Sequence, residues 1–227
     1  MLRERYVKNF HVKRFSPWEP GDITQFQTIY PMKKSNKSKI STKNLGGYHP
    51  DPTVQKWKAG SIWECEGKKL YDIIQEQKPK LVVEIGGFFG CSTAWIALAL
   101  RDLGGGKVIS IDNQEYVGGW GQFPEDLKEF VEFIVADART VQVPKNIDMV
   151  FEDGAHTPGF TAEMIKRFKP RKVWVSHDYM HKSKVGQNVK KDIDEAFGSP
   201  DEIFFENEET DCGLAIKYFD QDVKNKN

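Results

Sequence analysis

Residues 81–100, LVVEIGGFFGCSTAWIALAL, constrain this chain more than any other stretch. Leu81 to Ile85 is a short apolar run rich in β-branched residues, and it reads as a strand buried on both faces. Gly86, Gly87 and Gly90 follow at once, and then Ser92 to Leu103 reads as a helix that stops at Gly104, Gly105 and Gly106. A strand that turns through glycines straight into a helix, and is apolar on both sides, needs a layer of cover above and below. That requirement selects a parallel sheet between helices.

The flanking sequence repeats the alternation. Leu70, Tyr71, Ile73 and Ile74 share one side of a 3.6-residue period, which predicts a helix over Glu64 to Gln77, ended before Pro79. Downstream come a strand from Lys107 to Ile111 running into Asp112, a helix from Pro124 to Phe130, and strands over Val131 to Val135 and Ile147 to Phe151. Thr157 and Pro158 are expected to open a further helix, with Phe160, Met164, Ile165 and Phe168 on one face. Val173 to Val175 is the fifth strand and Val189 to Phe197 another helix, and Ile203 to Phe205 with Leu214 to Tyr218 read as a closing antiparallel pair. The fold class is α/β, a doubly wound, mostly parallel sheet of seven strands.

Residues 1–60 lack this texture. Their aromatics Phe10, Phe15, Trp18, Phe26 and Tyr30 follow no clean period, and Lys33 to Lys43 sets five lysines among Ser, Thr and Asn. An irregular arm is expected there, either a solvated loop or a lid that attracts an anionic group, ahead of a domain over 61–220 and a polar tail over 221–227. Thirty-three Lys and Arg balance thirty-three Asp and Glu, which argues against a general attraction to nucleic acid. The run Ala94 to Leu100 is far too short to span a membrane, and Arg3, Glu4, Arg5 and Lys8 interrupt any secretory-type apolar core. A cytoplasmic location is expected. Cys65, Cys91 and Cys212 stand too far apart for a CxxC pair and read as small buried apolar residues.

In a parallel α/β sheet, ligands bind beyond the carboxyl ends of the strands. The residues ending these strands are Glu84 with Gly86, Asp112, Asp137, Asp153 and the pair His177 and Asp178. Asp is also a common turn former, which accounts for part of this series without any ligand. The first turn lacks both the GxGxxG spacing and a following Gly-Lys-Ser/Thr, so neither a dinucleotide fingerprint nor a P-loop is present. An acid just before those glycines would repel a pyrophosphate and suit a cationic ligand.

These motifs, in this order, resemble the class I S-adenosylmethionine-dependent methyltransferases, in particular the group of macrocin, cephalosporin-type and catechol O-methyltransferases. The first motif has the form ExGxxxGxS, with Phe88 where the wider superfamily carries a middle glycine; VISID, VADA, DMVFEDGAH and VWVSHDY are similar to the later ones. The resemblance covers about Glu64 to Tyr218 and implies a Rossmann-like methyltransferase fold that binds S-adenosylmethionine. It implies that Glu84, Gly86, Gly87 and Gly90 shape the methionine pocket and that Ser92 caps the helix beside it. Asp112, with Asn113 next to it, would hold the ribose hydroxyls, Asp137 and Ala138 would lie near the adenine, and Asp153 counts with the cofactor residues as well.

A hydroxyl acceptor must lose its proton at or before methyl transfer, so a base, a metal or both are expected at the ends of strands four and five. Asp153, His156, His177, Asp178 and His181 are the candidates. By the resemblance, Asp153 and Asp178 would hold a divalent ion such as Mg or Mn, with His177 departing from the group's usual Asp or Glu. A histidine in the set moves preference towards manganese, iron or zinc. The other reading of His177 is an imidazole that faces away and bonds to backbone, with no metal. His156, three residues after Asp153, is the expected base, or else only a loop residue; His177 and His181 are the further candidates for that role. The expected partner is a small hydroxylated molecule such as a sugar, natural product or catechol-like compound, with no membrane, and a homo-oligomer stays open. Two alternatives remain. One is nucleic-acid methylation, for which the Asp/Asn/Ser-Pro-Pro-aromatic segment is missing; the other is a methyltransferase-like protein that only binds.

Overall fold

The computed structural model describes residues 62–88, 90–114, 123–205 and 212–219. The expectations for the arm over 1–60, its lysines and the tail over 221–227 lie outside these residues. From α1 (Glu64–Gln77) the chain runs through β1 (Leu81–Ile85), α2 (Cys91–Asp102) and β2 (Lys107–Asp112), then through a 3-10 helix (Glu125–Phe130) and β3 (Val131–Val135). It continues through β4 (Met149–Glu152), α3 (Phe160–Arg167), β5 (Val173–Ser176), α4 (Lys184–Phe197), β6 (Glu202–Phe204) and β7 (Leu214–Tyr218).

The seven strands form one sheet in the order β3-β2-β1-β4-β5-β7-β6. β1 pairs in parallel with β2 and β4, β2 with β3 and β4 with β5, while β7 runs antiparallel to both β5 and β6. The winding reverses between β1 and β4, and this switch point opens the crevice in which α/β sheets bind ligands. No helix among the described residues is long and apolar enough to cross a membrane.

Alternate strand residues point to opposite faces, and the core divides accordingly. Val82, Met149, Phe151, Val173, Val175, Leu214 and Ile216 pack on the side of α1 and α2. Val83, Ile85, Val150, Trp174 and Ala215 pack with Phe160, Met164, Val189 and Ile193 of α3 and α4. All of Cys91 to Leu100 is buried, because α2 lies between the sheet and α1. At the α1–α2 crossing a Cβ on Gly67 would collide with the indole of Trp95, so only glycine lets the two helices approach this closely.

Several local expectations shift. The segment before β3 is a 3-10 helix rather than an α-helix. Thr157 and Pro158 form a turn instead of a helix start: Phe160 N donates to Thr157 O and α3 begins after Gly159. α4 begins five residues before the expected Val189, because Ser183 Oγ accepts from Val185 N and caps it. β4 starts at Met149 rather than Ile147. Asp148 is occupied at the strand's entry, accepting from Lys80 N, Leu81 N and the Arg171 guanidinium.

Candidate active site

At the β1 end, backbone conformation and buried hydroxyls dominate. Gly86 sits at φ 84° with its N–H on Ile111 O, and a Cβ there would run into the carbonyl of Asp153. Phe88 holds a left-handed φ of 45° with its side chain exposed, and Gly90 a φ of 81°. Gly90 is the N-cap of α2, which corrects the expectation for Ser92. That residue lies inside the first turn, buried, rather than capping it. Glu84 is fully buried beneath the turn and accepts from Thr93 Oγ1, while its Oε1 has no hydrogen-bond partner among the described residues. Burial pushes its carboxyl up to about 7, against the opposing pull of the hydroxyls of Ser110, Ser92 and Thr93.

Asp112 joins the two loops. Its Oδ2 accepts from Phe88 N and its Oδ1 from Gln114 N, each at 2.9 Å. Each oxygen keeps a lone pair for a further donor. Asn113 beside it is exposed. Asp137 is turned onto its own loop, where Arg139 N and Nε donate to Oδ1, and the backbone bond above all holds its carboxyl below the usual range. Ala138 is buried, with its carbonyl taken by Arg167 Nε.

At the β4 and β5 ends the residues singled out from sequence come together as side chains. Asp153 Oδ1 lies 3.2 Å from His156 Nε2 and 3.1 Å from His177 Nδ1. Asp178 faces the same two nitrogens, with Oδ2 3.2 Å from His156 and Oδ1 3.3 Å from His177. Two carboxylates and two imidazoles thus alternate around one centre. His156 (φ 47°) and Asp178 (φ 61°) both adopt left-handed backbone, a cost of about 1–3 kcal/mol each that clusters at functional sites. The His156 turn is held from outside by Asn188 Nδ2, which donates to its carbonyl. His181 stays apart: its Nδ1 lies 2.6 Å from Ser183 Oγ at the start of α4.

Electrostatics follow from this arrangement. Burial works against charge on both imidazoles, but the facing carboxylates, Asp153 first, overcome it, so His156 is raised and His177 raised well above its ordinary value. Asp153, which burial alone would raise, is instead held low, chiefly by the His177 charge. Among the described residues, two sets of three donor groups have ligand atoms mutually within 4.8 Å: Asp153, His156 and Asp178, and His177, Asp178 and Cys212. Burial pushes the Cys212 thiol up to about 12, so it keeps its proton in the metal-free chain.

Two buried glutamates were missed from sequence. Glu66, on the face of α1 that also carries Leu70 and Ile73, reaches His177 Nε2 at 3.0 Å. Glu152, the last residue of β4, accepts from Thr161, Ser176 and Gly154 N, and its Oε1 lies 3.8 Å from His156 Nδ1. The available signal was an acid on an apolar stripe and another at the end of an apolar strand, both of which need partners when buried.

Residues 83–179 match a family described as a methyltransferase domain. No curated protein sequence matches the chain. The O-methyltransferase TomG from Streptomyces achromogenes, solved with SAM, is similar with a TM-score of 0.58 at 18% identity, over 80% of this chain and 91% of its own. The O-methyltransferase from Bacillus cereus, in complex with SAH, is similar at 0.55 and 17% identity, over 70% and 82%. A 1,6-didemethyltoxoflavin-N1-methyltransferase from Burkholderia thailandensis reaches 0.52 at 12%, over 73% and 81%. At such identities the likeness is one of fold, and it extends to a nitrogen methyltransferase, so the fold alone does not choose the acceptor atom. Residues 83–179 thus match the methyltransferase-domain family, and the described residues share the fold of these solved methyltransferases.

Proposed function

We propose that this chain is an S-adenosylmethionine-dependent O-methyltransferase acting on a hydroxyl of a small molecule, with a divalent cation assisting at the β4 and β5 ends. The observation that carries this reading is the ring of Asp153, His156, Asp178 and His177, closed by contacts of 3.1–3.3 Å. A hydroxyl needs help to lose its proton, whereas a neutral amine already offers a lone pair. Machinery for moving a proton therefore favours oxygen.

The β1 and β2 ends fit the cofactor. Glu84 offers a buried carboxylate oxygen without a partner, Asp112 has lone pairs for two hydroxyls, and the backbone at Gly86 and Gly90 permits close approach. S-adenosylmethionine supplies an electrophilic methyl group on a sulfonium. Glu84 and the Gly86–Gly90 turn would hold its amino-acid end and Asp112 its ribose.

The two imidazoles differ in a way that divides the remaining work. His177 has partners on both ring nitrogens, whereas His156 has Nε2 between the aspartates and Nδ1 without a hydrogen-bond partner among the described residues. A ring held on both sides suits a fixed donor, and a ring free on one side suits a proton carrier. Asp153 and Asp178, with His177 as third donor, would hold the cation, which lowers the pKa of a bound hydroxyl. With the aspartates so engaged, His156 Nε2 would stand where it can take the acceptor's proton.

The reading is tested by methyl incorporation into a panel of hydroxylated and amine-bearing small molecules, run with Mg, with Mn and in chelator. Transfer to hydroxyls alone, suppressed by chelator and restored by either ion, is expected. Transfer only to amines, or full hydroxyl transfer in excess chelator, overturns it.

A further inference from the structure

Glu66 lies outside every strand-end motif, yet its side chain ends inside the reactive cluster. It is 1% exposed, and it accepts three bonds that tie separate parts of the fold together. Oε2 takes Trp63 N at 2.9 Å and stands 3.0 Å from His177 Nε2, and Oε1 takes Gly213 N at 3.0 Å. Two backbone N–H donors on its oxygens mark Glu66 as an acceptor, so the proton between it and His177 belongs to Nε2. The neutral tautomer of His177 then has its lone pair on Nδ1. That atom faces Asp153 Oδ1 at 3.1 Å and Asp178 Oδ1 at 3.3 Å. In the metal-free chain a proton on Nδ1 answers the two aspartates; once it is lost, that lone pair would be open to a cation held by Asp153 and Asp178.

We infer that Glu66 is a positioning residue of the cation site: it fixes His177 with Nδ1 turned towards Asp153 and Asp178, so that the site binds through nitrogen as well as oxygen and prefers a first-row transition ion to magnesium. The inference rests on the cation reading proposed above. A carboxylate on the far nitrogen of a ligating imidazole sets ring orientation and raises ligand basicity, and its loss commonly costs about 10- to 100-fold in metal affinity. Imidazole nitrogen is a donor that Mn, Fe, Co and Zn accept far better than Mg does. His156 has no equivalent support, since Glu152 Oε1 stands 3.8 Å from its Nδ1.

Glu66 is also the third residue of α1 and accepts the N–H of Trp63, a helix-capping contact that by itself would explain a glutamate here. Substitution separates the roles. Glutamine serves equally well in that capping position, so Glu66→Gln keeps the helix start while removing the negative charge from His177. Glu66→Asp keeps the charge but falls short of the ring. Glu64→Gln removes a charge from the same turn at an exposed position and serves as control.

The experiment is titration of the full chain with Mn2+ and Mg2+ by calorimetry and Mn2+ electron paramagnetic resonance, with the Co2+ absorption spectrum as a ligand-field readout and thermal midpoints as a check on folding. Wild type is expected to bind Mn2+ at least tenfold more tightly than Mg2+. Glu66→Gln and Glu66→Asp are expected to lose about 10- to 100-fold in Mn2+ affinity with a changed Co2+ spectrum, while Glu64→Gln stays at wild-type affinity. Wild-type binding with no preference for Mn2+ over Mg2+ overturns the inference without need of any variant. So does Mn2+ affinity within twofold of wild type in a folded Glu66→Gln, and in both cases the cation reading stands. Absence of any divalent binding by wild type overturns that reading and this inference with it.

Discussion

At the ends of β1 and β2 the candidate site offers carbonyls, amides and glycine conformations, with an acid whose oxygen is unpartnered and another that accepts one backbone amide on each oxygen. At the ends of β4 and β5 carboxylates and imidazoles face one another through contacts of 3.1–3.3 Å. The first surface is made to receive a ligand that brings its own charge. The second is a set of acids and imidazoles already in contact with one another. Binding and proton handling are therefore separable, and substitutions should divide accordingly.

The largest separation is expected from His156→Ala. Loss of a general base costs about 100- to 10,000-fold in turnover, while cofactor affinity by calorimetry should stay within a few fold. Equal losses in both quantities would mean that the two surfaces act as one.

Next comes pH. Glu84 keeps its proton to about 7 in the folded chain because of burial, against an ordinary value of 4.5. A group that holds its proton more tightly when folded stabilises the fold at low pH, so stability should fall as pH rises from 4.5 through 7, by a total on the order of 3 kcal/mol. His156 and His177 are raised as well, despite burial, by the facing aspartates. Their contribution is present below 6.5 and is lost as pH climbs through their folded values. Thermal midpoints between pH 4.5 and 8.5, without ligand and in chelator, should therefore decline throughout. Glu152, also raised by burial, shares the lower part of that decline, so Glu84→Gln should reduce it and leave the upper part.

Asp112→Ala should weaken S-adenosylmethionine binding by about 10- to 100-fold, since hydrogen bonds to a charged acceptor are worth roughly 1.5–3 kcal/mol, with Mn2+ affinity unchanged. The smallest effect belongs to Gly67→Ala. Its Cβ meets the Trp95 indole, so α1 must shift at a cost of about 1–3 kcal/mol, read as a lower thermal midpoint. Because α1 carries Glu66, Mn2+ affinity should drop while cofactor affinity holds.

The same division governs what was legible in the sequence. Strand ends at Glu84, Asp112, Asp153 and His177–Asp178 could be read because glycines and apolar runs mark them locally. The convergence of Asp153, Asp178 and His156 follows from adjacent parallel strands, β4 and β5. The partnership of Glu66 with His177 spans 111 residues and leaves no local period; only the packing of α1 against α2 brings it into reach. Gly159 as a true helix start was hidden behind Thr157-Pro158, and Ser183 by a first turn of α4 that carries Gly186, a residue disfavoured inside helices. That glycine is required for another reason, because a Cβ there would strike the His181 carbonyl.

Gly86 and the Asp153 carbonyl leave no room for even a methyl group between the β1 and β4 turns. The two turns consequently share a wall, and neither can slide along the sheet edge without carrying the other. A donor seated on the first turn and an acceptor oriented from the second would then keep a constant separation, whatever residues surround them. Acceptor choice in such a molecule could then diversify through the residues around the two turns, since two backbones in contact would set the distance between donor and acceptor.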